Sequence, residues 1–150
     1  MRRRKSFAAI ELLVDLALVA ILIGMLIPFY NFNERLAYER IARREIRMLK
    51  VAVISYYENS SPNRYPPRTA NLCAEYLLSA KPQIIKRILP DPFSVKKEEY
   101  HYTISANGKF YCIWTIGRDK KSGILDIDNS GNIIKDKKCD EIYATHAIDP

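Results

Sequence analysis

A long apolar run near the amino terminus constrains this chain more than any other feature. From Phe7 to Tyr30 the only charged residues are Glu11 and Asp15. A helix over residues 7–30 would reach roughly 36 Å at a rise of about 1.5 Å per residue, which is enough to cross a bilayer. The run therefore predicts a single membrane-spanning helix, and it excludes a freely soluble chain as synthesised.

Positive charge is concentrated directly ahead of this run. The chain has 24 Lys and Arg against 17 Asp and Glu, a net charge of +7, and without the four cations at positions 2–5 the balance is only +3. Lys and Arg beside a short apolar segment hold that end in the cytoplasm. The cations at positions 2–5 therefore predict that the amino terminus lies in the cytoplasm. The small net charge of the remaining chain disfavours a nucleic acid as partner.

Glu11 and Asp15 are unusual because both carboxylates lie within the predicted span. A charged residue at mid-bilayer costs about 2.5–3.5 kcal/mol on insertion scales, so its presence indicates a function. A secretory signal peptide would have a shorter apolar core and a small-residue cleavage site. A plain signal anchor would span the membrane, but it would not explain the carboxylates.

The sequence around these residues resembles the class III signal of type IV pilins and pseudopilins. Counted from Phe7, Glu11 is the fifth residue and Pro28 the twenty-second, as in that family, and Ser6 stands where the family usually has Gly. The resemblance implies that prepilin peptidase removes residues 1–6 and N-methylates Phe7. It also implies that Glu11 pairs with the Phe7 amine of a neighbouring subunit during assembly.

Three further residues of the span have more than one interpretation. Asp15 lies four residues after Glu11, on the same helix face, and is either protonated, turned toward other subunits, or a second intersubunit contact. Pro28 cannot donate a hydrogen bond to the Gly24 carbonyl, so we expect a kink there. A simple kink and the local unwinding that the family resemblance implies are both consistent with this spacing.

Beyond Tyr30 an amphipathic half of the same helix is predicted over residues 31–58, and a globular head over 59–150. The apolar residues that recur at spacings of three and four should pack on the head. The basic stretch 35–50 then forms a solvated face or pairs between subunits. The apolar stripe consists of Ala42, Ile46, Leu49, Val53 and either Tyr56 or Tyr57.

The head should be a small antiparallel sheet, which makes the fold α+β and pilin-like. A short helix is predicted over residues 72–78, and the Asn107-Gly108 and Asp128–Gly131 segments predict hairpin turns. Packing three or four strands as one sheet on the helix is the simplest way to bury the apolar residues. The strands are predicted over residues 100–105, 110–116, 124–127 and 133–134.

Two segments of the head resemble type II secretion pseudopilins, in particular the major pseudopilin. They are Tyr65-Pro66-Pro67 and Asp91-Pro92-Phe93. The resemblance implies a structural subunit of a periplasmic filament that drives protein export. It would be anchored in the inner membrane with its head in the periplasm. Its partners would be other copies of itself, other pseudopilins, prepilin peptidase, the inner-membrane assembly platform and membrane lipid.

Two other functions remain open at this stage. The first is a minor pilin of a type IV pilus or of a competence system that takes up DNA. The second, from a different class, is a bitopic periplasmic binding or sensor protein. Neither His101 nor His146 belongs to a catalytic pattern, and the sequence has no phosphate loop, nucleophile elbow or zinc-ligand spacing, so no enzyme is predicted.

Calcium and a disulfide are the two remaining hypotheses. Asp126 and Asp128 match the start of an EF-hand loop, but Lys137 occupies the twelfth position, where a bidentate Glu is needed. The segment 114–119, which ends at Asp119, resembles the start of the major pseudopilin's calcium loop, so the three aspartates bind Ca²⁺ or serve as turn residues. Of the three cysteines, Cys112 and Cys139 are the favoured disulfide pair, although spacing alone does not fix the pairing.

Overall fold

The computed structural model describes residues 2–136 and 141–146, with side chains from residue 10 onward except those at positions 28, 31 and 125. Its internal contacts divide the chain into two compact units. The amino-terminal unit is Met1–Ala37 and the carboxy-terminal unit is Tyr38–Pro150.

One long helix, α1, runs from Arg2 to Asn59. It ends where the sequence turns to Ser-Ser-Pro, as expected from residues that favour turns over helices. At this end the Ser60 hydroxyl donates a hydrogen bond of 2.6 Å to the Tyr56 carbonyl oxygen, which satisfies one acceptor of the last turn. The predicted helix end is therefore confirmed to within about two residues.

The predicted apolar stripe of α1 lies in the core of the carboxy-terminal unit. Ala42, Ile46, Leu49 and Val53 are fully buried. They pack with Tyr111 and Ile113, which lie in a strand, and with Tyr100, which directly precedes one. Removing this apolar area from water is the main contribution that holds the helix against the rest of the unit.

Among the described residues, five short strands form two antiparallel sheets, so the prediction of a single sheet is wrong. One sheet has the order β1-β2-β5 and the other pairs β3 with β4. The fifth strand was not predicted. The strands are β1 His101–Ile104, β2 Tyr111–Trp114, β3 Ile124–Ile127, β4 Ile133–Lys135 and β5 Tyr143–Thr145.

A second, smaller apolar cluster joins the two sheets. It contains Cys112 and Trp114 of β2 together with Ile124 and Ile127 of β3. Cys112 and Trp114 lie on the same face of β2, because alternate residues of a strand point to the same side. The α+β class, with a long amino-terminal helix and small antiparallel sheets, is confirmed.

The short helix after α1 has an unexpected form. A single π-helical turn covers Cys73–Leu77, within the region predicted as an ordinary helix. The Glu99 carboxylate accepts hydrogen bonds from the backbone N–H groups of Cys73, at 2.6 Å, and Ala74, at 3.1 Å. Glu99 thus satisfies donors that the first turn of a helix leaves unpaired.

Both predicted hairpin turns are present, and hydrogen bonds connect them. Gly108 and Gly131 have positive φ values of 69° and 86°, which explains glycine at these positions. The Asn107 N–H donates to the Asn129 side-chain oxygen at 2.9 Å, and the Asn107 amide group donates to the Asn129 carbonyl oxygen at 2.9 Å. The tip of the β1–β2 hairpin is therefore bonded to the tip of the β3–β4 hairpin.

Candidate functional site

The amino-terminal unit presents an apolar helix surface, defined here as the large apolar side chains of α1 from Ile10 to Phe32. These side chains are exposed along the whole segment. Soluble monomers rarely expose contiguous apolar patches of more than a few hundred Å². In the part of the chain that is described, α1 is a helix long and apolar enough to cross a membrane.

Glu11 and Asp15 are the only acidic residues on this surface. With Ile10 and Val14 they line a shallow hollow of about 270 Å³ on one side of the helix. Both side chains are exposed, and their i, i+4 spacing places them on the same face. In a lipid environment these carboxylates would need a cation or a proton, because an isolated charge is costly in a medium of low dielectric constant.

Ser6 and Phe7 lie in α1, about one turn before Glu11. Four residues of helix correspond to roughly 6 Å along the axis. Their side chains are outside the described part of the structure, so their predicted processing stays a prediction. A charged amine at Phe7 would nevertheless be close enough to a carboxylate one turn away, on the same or a neighbouring helix, to offset its charge.

Gly24 and Pro28 lie within the continuous helix α1. A Cβ atom added at Gly24 would meet no other atom within 4 Å. This glycine is therefore not needed for close packing within the chain. The predicted kink and loosening of the helix at this pair stay predictions.

The three aspartates proposed as calcium ligands have separate protein partners. Asp126 accepts hydrogen bonds from the Ile127 N–H at 2.9 Å and the Thr103 hydroxyl at 3.1 Å, and it forms an ion pair with Arg68 at 3.3 Å. Burial would raise the pKa of Asp126, but these hydrogen bonds and the Arg68 charge outweigh it and lower the pKa.

The carboxylates of Asp128 and Asp119 each accept hydrogen bonds from backbone N–H groups of their own turn. The Asp128 carboxylate accepts hydrogen bonds from the N–H groups of Ser130 and Asn132, both at 2.8 Å, and the bonds from Asn132 are the main reason that its pKa is lowered. Asp119 accepts one from the Lys121 N–H at 2.9 Å. Among the described residues no three His, Cys, Asp or Glu side chains are placed to hold a metal. The structure thus gives each of Asp119, Asp126 and Asp128 hydrogen-bond donors of its own, and calcium binding by these residues stays a prediction.

The described cysteines are buried, and His101 packs against an aromatic ring. Cys73 and Cys112 are buried, and burial raises the pKa of the Cys73 thiol to about 12, which suppresses its reactivity. Cys139 lies outside the described residues, so the Cys112–Cys139 disulfide stays a prediction. His101 stacks on Trp114 with ring centroids 5.4 Å apart.

The structure also reveals a feature that sequence reasoning missed. A groove of about 930 Å³ lies in the carboxy-terminal unit, between α1 and the segment that follows the π-helical turn. Sequence analysis assigned the basic stretch of α1 to a solvated face or to pairing between subunits. The groove becomes recognisable only when the folded chain brings residues 84–89 beside that stretch.

No protein-family model, curated protein or solved structure matches this chain. Its architecture, a long apolar amino-terminal helix that continues into a unit with small antiparallel sheets, is compatible with that of pilins.

Proposed function

We propose that this chain is a pilin-like structural subunit of a type II secretion pseudopilus. It is held in the inner membrane by α1 and assembles with copies of itself and with other pseudopilins into a periplasmic filament. The observation that carries the proposal is a pair of carboxylates on an exposed apolar helix, with Glu11 at the fifth position from Phe7. In a filament subunit, Glu11 can pair with a cation of a neighbouring subunit, whereas a plain membrane anchor gives this carboxylate no role.

The energetic argument concerns the charge of Glu11 in the absence of water. A lone carboxylate in a low-dielectric medium is destabilised, whereas a carboxylate beside a cation recovers much of that cost. An amino terminus freed at Phe7 on an adjoining subunit supplies such a cation. Pairing would fix the axial register between two subunits, because an apolar helix surface alone permits sliding.

Mass spectrometry of the mature amino terminus tests the processing step. We expect a chain that begins at Phe7 and carries an N-methyl group when it is made in cells with prepilin peptidase. In cells without that peptidase we expect the leader to be retained. A chain that keeps Met1 in both backgrounds would contradict the proposal and favour a bitopic binding or sensor protein.

A substitution at Glu11 tests the assembly step. We expect Glu11→Leu to insert in the membrane normally but to lose its place in the filament, because the charged partner of the Phe7 amine is gone. Chemical cross-linking in membranes of the native host measures this as loss of the multimer ladder. Glu34→Leu, at an exposed acid of α1 beyond the apolar run, is the control and should keep the ladder. Normal incorporation of Glu11→Leu would refute the role of Glu11.

A further inference from the structure

The groove in the carboxy-terminal unit has two walls with different origins. One wall is a face of α1 and includes Ile41, Met48 and Val51. The other wall is an irregular segment after the π-helical turn and includes Ile84, Ile85 and Leu89. More of the groove surface is apolar than polar. We call this feature the helix groove.

The α1 wall has the spacing of a surface that packs against another helix. One row of its residues follows at alternating intervals of three and four, which is the heptad spacing of helix–helix seams. Ile41 is 44% exposed, Met48 40% and Val51 67%. This row consists of Ile41, Arg44, Met48, Val51 and Ser55, and α1 also lines the groove with Glu45, Arg47 and Ala52.

This wall is distinct from the face of α1 that is already in use. The core-facing stripe is shifted by one or two residues, and it is fully buried at Ala42, Ile46, Leu49 and Val53. One helix thus carries two apolar stripes. The first packs on the sheets, and the second faces the open groove.

The charges around the groove point to the chemistry of its occupant. Arg44 on the α1 wall and Lys86 and Arg87 on the opposite wall are exposed cations, and Arg47 also lines the groove. The acid among the lining residues is Glu45, and it accepts a hydrogen bond from the Tyr100 hydroxyl at 2.7 Å. Positively charged side chains therefore stand on both walls of the groove, beside its apolar residues.

We propose that the helix groove binds an amphipathic helix of another protein, one whose apolar ridge has acidic residues on both flanks. The ridge would fill the space above Met48 and Val51, and the acids would meet Arg44 on one side and Lys86 and Arg87 on the other. Binding of an apolar helix face in a groove is a common recognition mode, and opposite charges at the rim select the partner and its orientation. This inference does not depend on the proposed filament function.

Synthetic helices test the proposal on the full chain, reconstituted in nanodiscs of neutral phosphatidylcholine. The probe is a fluorescent peptide of three heptads with Leu in the apolar ridge and Glu on both flanks. The comparison peptide has the same ridge with Lys on both flanks. We expect the Glu peptide to bind, measured by fluorescence anisotropy, and the Lys peptide to bind at least about tenfold more weakly. Equal binding of both peptides, or of neither, would overturn the proposal.

Matched variants assign any binding to the groove. We expect Val51→Glu to weaken binding of the Glu peptide by about tenfold or more, because it places a negative charge among the apolar residues of the α1 wall. The control is Val95→Glu, at a residue that is 76% exposed and does not line the groove, and it should bind as the unaltered chain does. The double variant Lys86→Glu with Arg87→Glu should largely abolish the preference between the two peptides, because the new acids and the unchanged Arg44 then favour opposite charges. An unchanged preference would contradict the assignment.

The occupant in cells is tested by placing a photo-cross-linking amino acid at Val51, written Val51→p-benzoylphenylalanine. A cross-linked product with twice the mass of the chain would show that a second copy covers the groove. An adduct with the mass of a phospholipid would show that lipid covers it. Either product as the main one would overturn the proposal.

Discussion

Asp91 shows how one carboxylate connects distant parts of the chain. The Asp-Pro dipeptide predicts a turn, and the structure confirms it, with the Phe93 N–H donating to the Asp91 carboxylate at 2.9 Å. The Ile116 N–H, just beyond β2, donates to the other carboxylate oxygen at 2.7 Å. The turn could be predicted from the dipeptide, but the second bond could not, because it joins residues that are far apart in sequence.

Replacing Asp91 tests this connection. We expect Asp91→Ala to lower the free energy of unfolding by about 2 kcal/mol, because two backbone N–H groups lose their acceptor in a partly buried site. The measurement is urea unfolding at pH 7 of the full chain in detergent micelles. Asp119→Ala, which removes one hydrogen bond at an exposed turn, is the control and should change the value by less than about 0.5 kcal/mol. Equal effects of the two substitutions would contradict the role given to Asp91.

Asp128 gives a prediction about pH. Hydrogen bonds from Asn132 lower the pKa of its carboxyl below the ordinary value of 3.8. A lowered pKa in the folded state means that the stabilisation is present above pH 3.8 and is lost as the pH falls through the folded-state value. We expect Asp128→Ala to be less stable than the unaltered chain at pH 7 and to approach it in stability at lower pH.

Melting curves across this pH range measure the effect. Lys109→Ala, at an exposed residue of the other hairpin, is the control and should show the same difference from the unaltered chain at every pH. If the difference caused by Asp128→Ala stayed constant down to pH 2.5, its carboxylate would not be the titrating group.

At the scale of elements, α1 is the part that sequence predicts best. Its apolar stripe repeats with the helical period over several turns, and such a pattern is visible without any tertiary information. The small sheets are harder to predict. The strand Tyr143–Thr145 has three residues, and it is defined by its pairing with β2. Which strands pair with which depends on packing, so local patterns predicted one sheet where the structure has two.

Substitutions by alanine compare how much the core-facing stripe and the groove wall of α1 contribute to stability. We expect Ile46→Ala to lower the free energy of unfolding by about 3 kcal/mol, because Ile46 is fully buried and its removal leaves a cavity. Ile41→Ala, on the groove wall of the same helix, should cost less than about 1 kcal/mol, because Ile41 is 44% exposed. Denaturant unfolding of both variants provides the comparison. Similar losses would mean that the groove wall is packed.

At the scale of the whole molecule, the candidate sites differ in how far sequence predicts them. Glu11 and Asp15 are recognisable from local spacing, because a carboxylate in an apolar run is unusual wherever the rest of the chain lies. The helix groove requires residues 84–89 to pack near α1, and no local pattern encodes that. The same holds for the partners of Asp126, because Arg68 and Thr103 both lie far from it in sequence.

The division of the chain into two units gives a prediction about its parts. Both apolar clusters consist of residues between Ala42 and Ala144. We therefore expect a fragment of residues 38–150 to fold without the apolar run and to unfold in a single cooperative step. Circular dichroism with thermal melting measures this, and a fragment of residues 48–150, which lacks Ala42 and Ile46, should fail to fold. A fragment 38–150 without a melting transition would show that the amino-terminal unit is needed.

The hydrogen bonds between Asn107 and Asn129 have a consequence for how the two sheets unfold. Hairpin tips are ordinarily the first places at which small sheets fray. Here each tip supplies bonding partners to the other, so fraying of one removes support from its neighbour. The two sheets share no strand, but these hydrogen bonds couple their hairpin tips. We therefore expect the two sheets to unfold together.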